Sequence, residues 1–251
     1  MLITRRKLTL SVSITVYIVV VFLLLEIALA FMIPISSAFA QQKDTNTNAT
    51  RVFPTNLKPF GKTFGEWTAK WWQWALSTPT EKNPLKDNTG VNCDVAQNGP
   101  VWFLAGTFGG SADRTCNVPS GKAIMFPVYN AECSYAEYPQ YKTESELRNC
   151  AKAQTDTVTS LDVSIDGIKI SDLKQKYRVQ SQLFDLMFPN NNVYGVSGGP
   201  SKAVSNGYWI ILQPLSPGKH EVRFSGSAVD FTSTAPMNFA TDAKYHLNVS
   251  K

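Results

Sequence analysis

The pattern of apolar and polar positions changes character several times along the chain. From Leu8 to Ile35 it is almost wholly apolar, broken mainly by Ser11, Ser13, Thr15 and Glu26. Residues 41–58 then form a polar stretch without period, beginning Gln41-Gln42-Lys43-Asp44, with nothing to bury. Next, Phe60, Phe64, Trp67, Trp71 and Trp74 recur at intervals of four, three, four and three. Those intervals place all five aromatics on one face of a helix, which Pro79 closes. An aromatic stripe of this kind predicts a helix packed on a sheet. Trp72 falls off the stripe, so it is the aromatic expected to stand exposed.

Beyond residue 100 the period shortens to that of strands. Val101–Ala105 and Ala123–Tyr129 are short apolar runs entered through Gly99-Pro100 and Pro119-Ser120-Gly121. Leu161, Val163 and Ile165 alternate with polar residues up to Asp166-Gly167, which predicts a hairpin into Ile168 and Ile170. Further strands are predicted over Tyr177–Leu186, Tyr208–Leu212, His220–Phe224 and Lys244–Val249, with a short second helix around Glu144–Gln154. Strands at this spacing, separated by Gly and Pro turns, predict a mainly β protein. The expected form is an antiparallel β-sandwich, jelly-roll or Ig-like, with the Trp-rich N-terminal helix packed on it.

The apolar N-terminal run carries Arg5, Arg6 and Lys7 before it and Pro34, Ser36 and Ala38-Phe39-Ala40 after it. That is the pattern of a signal peptide cleaved before Gln41, or of a signal anchor, because the run exceeds the roughly 20 residues that span a bilayer. Glu26 would be costly in a permanent span. Either outcome exports the chain from Gln41 onward. The expected organisation is a signal segment over 1–40, a linker over 41–58 and one domain over 59–251. It predicts a secreted protein, or one tethered to the outer face of the cytoplasmic membrane, touching the membrane only through its N-terminal segment. The net charge of +5 falls to +3 once residues 1–40 are removed, with no basic cluster, so nucleic acid is not an expected partner.

Cys93, Cys116, Cys133 and Cys150 lie in the exported part without C-x-x-C spacing, so disulfides are expected rather than metal, and no cofactor is implied. Of three possible connectivities, sequential pairing is favoured because each pair brackets an irregular stretch. Asn48 and Asn248 head glycosylation sequons near the two ends.

Catalytic signals are sparse. Gly195-Val196-Ser197-Gly198-Gly199 fits G-x-S-x-G, and Asp230 or Asp242 and His246 come after it in hydrolase order. The strand and helix that should flank such a serine are missing, since Pro189-Asn190-Asn191-Asn192 precedes it and Pro200 succeeds it. Glu132, Glu137 and Asp113 could supply a carboxylate pair. Two segments look more like binding surfaces: the Asn/Gly/Ser-rich loop over 187–206, which contains Tyr194, and the stretch Ser134–Tyr141, with Tyr135, Tyr138 and Tyr141.

The helix ending in Trp71-Trp72-Gln73-Trp74, the strand in Gly99-Pro100-Val101-Trp102-Phe103-Leu104-Ala105-Gly106, and the segments Cys116–Lys122, Gly207-Tyr208-Trp209 and Pro214–His220 resemble a family of exported archaeal and bacterial proteins. No activity is established for that family, so the resemblance implies export and a single domain and assigns no catalytic residue. The expected function is a non-catalytic envelope module that binds glycan or protein, with an extracytoplasmic hydrolase or a purely structural envelope protein as the alternatives. A binding module predicts exposed aromatics on one face. A hydrolase predicts polar side chains converging in one cleft.

Overall fold

A computed structural model describes residues 51–230 and 237–251. The signal segment over 1–40, the linker as far as residue 50 and Asn48 lie outside the described residues. Both expected helices begin with the same device. Thr63 precedes α1 (Phe64–Ser77), and its hydroxyl accepts the Glu66 N–H while the Glu66 carboxylate accepts the Thr63 N–H at 2.7 Å. Thr143 and Glu146 repeat that reciprocal cap at α2 (Glu144–Asp156). A single-turn helix, α3 (Leu173–Lys176), lies between strands.

The strands form two sheets. The first runs β1 (Val101–Phe103), β3 (Ala123–Ser134), β8 (Gly199–Leu212), β6 (Arg178–Gln180), and β7 (Phe184–Phe188) also pairs with β8. The second runs β2 (Gly110–Val118), β10 (Met237–Val249), β9 (Gly218–Asp230), β4 (Val158–Ile165), β5 (Ile168–Lys169). Pairing is antiparallel except for β1 with β3 and β2 with β10, which are parallel, so each sheet is mixed.

Two cores separate three layers. Between the sheets lie Ile124, Phe126, Ile210, Phe224, Tyr245 and their neighbours, with the Phe126 and Phe224 rings stacked at 4.6 Å. On the other face of the first sheet, α1 presses Trp71 against Trp209 at 5.3 Å, over Met125 and Ile211. The expected packing of the Trp-rich helix on a sheet is what the structure contains. Strands β3 and β8 are thereby covered on both faces, and every residue of β3 except Asn130 is buried.

Several local expectations are revised. Residues 51–53, assigned to the linker by their polarity, dock on the domain: Val52 is 5% exposed and bridges to Leu212. The segment Tyr177–Leu186 is two strands, because Ser181 leaves the ladder and its hydroxyl accepts the Ser205 N–H. Half of the supposed loop over 187–206 is strand, since Gly199–Ala203 pairs with Phe184–Phe188, and only residues 189–198 remain a loop. Gly110–Val118 is a strand the hydropathy pattern does not reveal, because the position between its buried Ala112 and Cys116 is Arg114.

The disulfides join Cys93 to Cys116 and Cys133 to Cys150, the sequential pairing. The first fixes the segment before β1 to β2, and the second ties the end of β3 to α2. Among the described residues no helix is long and apolar enough to cross a membrane.

One irregularity positions the site. Pairing of β3 with β8 skips a residue between Pro127 and Tyr129, so Val128 is the extra residue of a β-bulge. A one-residue slip exchanges the two faces of the strand beyond it. Val128 and Tyr129 accordingly both join the inter-sheet core. Two glycines make room for the bulge. A methyl group on Gly226 would stand 2.7 Å from the Val128 carbonyl oxygen, and one on Gly207 would stand 2.7 Å from that of Tyr129. Gly226→Ala should therefore cost about 1–3 kcal/mol by overpacking. Denaturant melts of the two proteins check this, and an unchanged midpoint would contradict the tight approach.

Candidate functional site

The bulge leads β3 into a cavity of about 240 Å³, roughly the share of liquid volume of eight water molecules. Asn130 and Glu132 line it from β3. A turn after β3 brings Glu137 to the same place: the Ser134 hydroxyl donates to the Glu137 carboxylate at 2.7 Å, and the Tyr138 N–H donates to the Ser134 carbonyl at 3.0 Å. The side-chain amide of Gln154 on α2 donates to the Tyr138 hydroxyl at 3.2 Å. The Cys133–Cys150 bridge holds those two elements together.

Aromatic residues close the remaining sides. Trp71 and Trp72 enter from α1, and the Trp71 indole N–H donates to the Leu104 carbonyl at 3.0 Å. Phe108 comes from the segment between β1 and β2, Phe239 from β10, and Tyr194 from the segment between β7 and β8. Tyr194 is set by Asn192, whose side chain donates to the Pro189 and Val196 carbonyls and accepts the Tyr194 N–H. Arg114, 1% exposed, fixes the Phe108 side by donating to the carbonyls of Asp87, Ala105 and Gly106 and to the Tyr245 hydroxyl.

Six buried side-chain polar atoms among the described residues have no hydrogen-bond partner, and four of them belong to residues of this cavity. These are Trp72 Nε1, Asn130 Nδ2 and both carboxyl oxygens of Glu132, a residue 4% exposed. No Lys, Arg or His is among the lining residues.

Electrostatics follow from that composition. Burial holds the Glu132 carboxyl well above the ordinary carboxylate range, and the adjacent Glu137 carboxyl pushes it further, first through its charge. Burial also raises Glu137, against interactions with Glu132 and Ser134 that favour its charged form. The two carboxyls titrate as a pair. Burial, and then the Glu132 and Glu137 charges, drive the Tyr194 hydroxyl far up. Tyr138 is raised by burial and then by Glu137.

The structure gathers some of the expected binding residues and disperses others. Trp72, Tyr138 and Tyr194 share the cavity. Trp72 is not exposed as expected: it is 5% accessible and packs edge-on against Trp71 at 5.0 Å. Its side of the helix is covered because Leu85 and the segment over 106–108 rise there to meet β3. Tyr135 and Tyr141 are half-buried against the small core of Leu147, Ala151 and Val204 and do not line the cavity; Tyr141 stacks on Tyr138 at 5.4 Å. The Asn248 amide donates to the Asn117 side chain at 3.1 Å across the β10–β2 pair.

The serine motif does not assemble. His246 engages Asp113 at 2.9 Å, Asp242 is bound by Arg223, and Ser197 sits in the exposed segment before β8 in the other sheet. The side chain of Asp230 lies outside the described residues. Asp113 is committed to His246, so Glu132 and Glu137 alone form the carboxyl pair. Among the described residues no three His, Cys, Asp or Glu side chains are grouped to hold a metal ion. Comparison with known protein families, curated proteins and solved structures returns no significant match.

The buried pair has a consequence for stability. The folded state keeps its protons to a higher pH than the unfolded chain does, so their contribution is fully present below the ordinary glutamate range and is lost as pH rises through the raised values. Glu132→Gln removes the charge and keeps the shape. Its melting temperature should equal that of the parent near pH 4 and exceed it at pH 8, a divergence that scanning calorimetry across pH reads directly.

Proposed function

We propose that the chain is an exported module that binds a small ligand in the cavity headed by Glu132 and Glu137. One observation carries this reading: four unpartnered polar atoms belong to residues around a single aromatic-walled space. Each buried polar atom without a partner costs about 1–3 kcal/mol, a cost that a ligand offering complementary groups removes. A space of this size admits one sugar ring or a comparable small molecule rather than the face of a protein. Within the broader expectation of glycan or protein binding, the cavity therefore favours a small molecule or a single glycan residue.

Export is supported by the basic, apolar and small-residue sequence of residues 1–40, and by two disulfides of the kind that persist in oxidising compartments. Release after Ala40 and tethering at the outer face of the cytoplasmic membrane both fit that sequence, as does the resemblance to exported proteins.

Hydrolysis has one observation in its favour, the contact between Glu132 and Glu137, since a carboxyl pair holding one proton can act as acid and base.

Trp71 and Trp72 at the wall supply a built-in reporter. Titrating the purified full chain in mild detergent with a panel of monosaccharides, amino acids and amines should produce a saturable change in tryptophan emission and a raised melting temperature for one class. Trp72→Phe, which removes the indole N–H together with part of the aromatic wall, should weaken binding about tenfold, read by the shift in melting temperature. A panel that produces no saturable response overturns the binding reading. Turnover of peptide substrates that vanishes in Glu132→Gln would favour the hydrolase.

A further inference from the structure

We propose that the occupant of this cavity is a small organic cation, an alkyl- or quaternary ammonium group seated with its charge against Glu132 and Glu137. The inference rests on the ligand-binding reading and names its ligand class. Charge balance makes the choice. Two carboxyls stand together in a space whose lining contains no Lys, Arg or His to neutralise them, and Glu132 is 4% exposed. A buried carboxyl pair without a countercharge is stable only by holding a proton or by acquiring a cation from outside.

The walls match a cation as well. The ring faces of Trp and Tyr attract an ammonium, Trp most strongly, and the attraction grows when water is excluded. Trp71, Trp72, Tyr194 and Phe239 line this cavity beside the carboxyls. A neutral sugar could satisfy Trp72 and Asn130 but would leave the pair dependent on its own proton. Free inorganic cations are small and strongly hydrated, so they would fill less of the aromatic wall and lose more hydration on entry.

The charged and titratable groups around the pair are few. Tyr129 and Glu132 come from β3, Glu137 and Tyr138 from the turn after it, and Tyr194 from the segment between β7 and β8. The elements α1, α2 and β10 contribute Trp71, Trp72, Gln154, Phe239 and Thr241, all uncharged. Lys86 is exposed and lies over the Phe108 ring at 5.5 Å, outside the lining. Protons and the ligand cation therefore compete for one carboxyl pair. Binding should release protons held by the pair, and affinity should rise with pH.

The test uses the full chain in mild detergent with choline and tetramethylammonium, set against the uncharged carbon isostere dimethylbutanol and against glucose. Both cations should saturate a tryptophan signal and bind at least about tenfold more tightly than the isostere. Glu132→Gln and Glu137→Gln should each weaken the cations at least about tenfold and leave the isostere unchanged. Calorimetry in buffers of different ionisation enthalpy should register the released protons. Equal binding of cation and isostere, or indifference to both glutamine variants, overturns the cation while the pocket remains a binding site. A response to glucose alone does the same. Silence from these four probes overturns the cation, and silence from the wider panel as well overturns the pocket.

Discussion

Burial of β3 and β8 on both faces is the constraint on which the rest of the structure depends. A strand covered on one side can point polar residues at water, whereas these two cannot, because α1 takes one face and the second sheet the other. Their sequences answer with nearly continuous apolar runs, Ala123-Ile124-Met125-Phe126 and Tyr208-Trp209-Ile210-Ile211-Leu212. The same constraint makes Glu132 anomalous. A carboxyl on such a strand has neither solvent nor, here, a basic neighbour, and the chain makes room beside it instead of filling the space.

Three buried ionisable groups show how differently one fold treats charge. Arg114 is enclosed by carbonyl oxygens and the face of Tyr245, at 5.2 Å, which replace its water without a carboxylate. Burial alone would raise Asp87, yet hydrogen bonds from the backbone N–H groups of Asn92, Thr89 and Gly90 outweigh it and lower its pKa. Glu132 has no such cradle, and its neighbour Glu137 carries the same sign. The first two are structural clamps whose polar atoms are satisfied within the chain. Only the third is left incomplete, and the proposed site rests on that contrast.

Sequence periodicity reveals the elements whose two faces differ. The aromatic stripe of α1, the β4–β5 hairpin and the central apolar strands are legible because their surroundings are asymmetric or wholly apolar. Strand β2 is hidden because Arg114 occupies a core-facing position, which reads as polar until its carbonyl cage is seen. The carboxyl pair is half legible: Glu132 and Glu137 stand among the candidate acids of the sequence, but nothing there separates them from Asp113 or shows that they are buried. Glu132 and Glu137 look like surface acids in sequence, and only the bulge at Val128 together with the Ser134 turn brings them together and out of solvent. The run Ala131-Glu132-Cys133, with a charge between two small apolar residues at the end of a buried strand, is the one available signal. Trp72 escapes for want of a partner: a helical wheel shows which residues share a face, but not that the segment over 106–108 and Leu85 wall in a second one.

The Cys133–Cys150 bridge joins the strand that carries Glu132 to the helix that carries Gln154, one residue and one turn away from each. The crosslink therefore spans the polar end of the cavity as well as the fold. A chain whose thiols stay reduced would keep its aromatic wall, which α1 and the first sheet build by packing alone, but would lose the covalent tie that registers the acids against their amide support. The bridge thus does for the polar end of the cavity what packing does for its aromatic wall: it fixes, covalently, the distance between two elements that share no sheet.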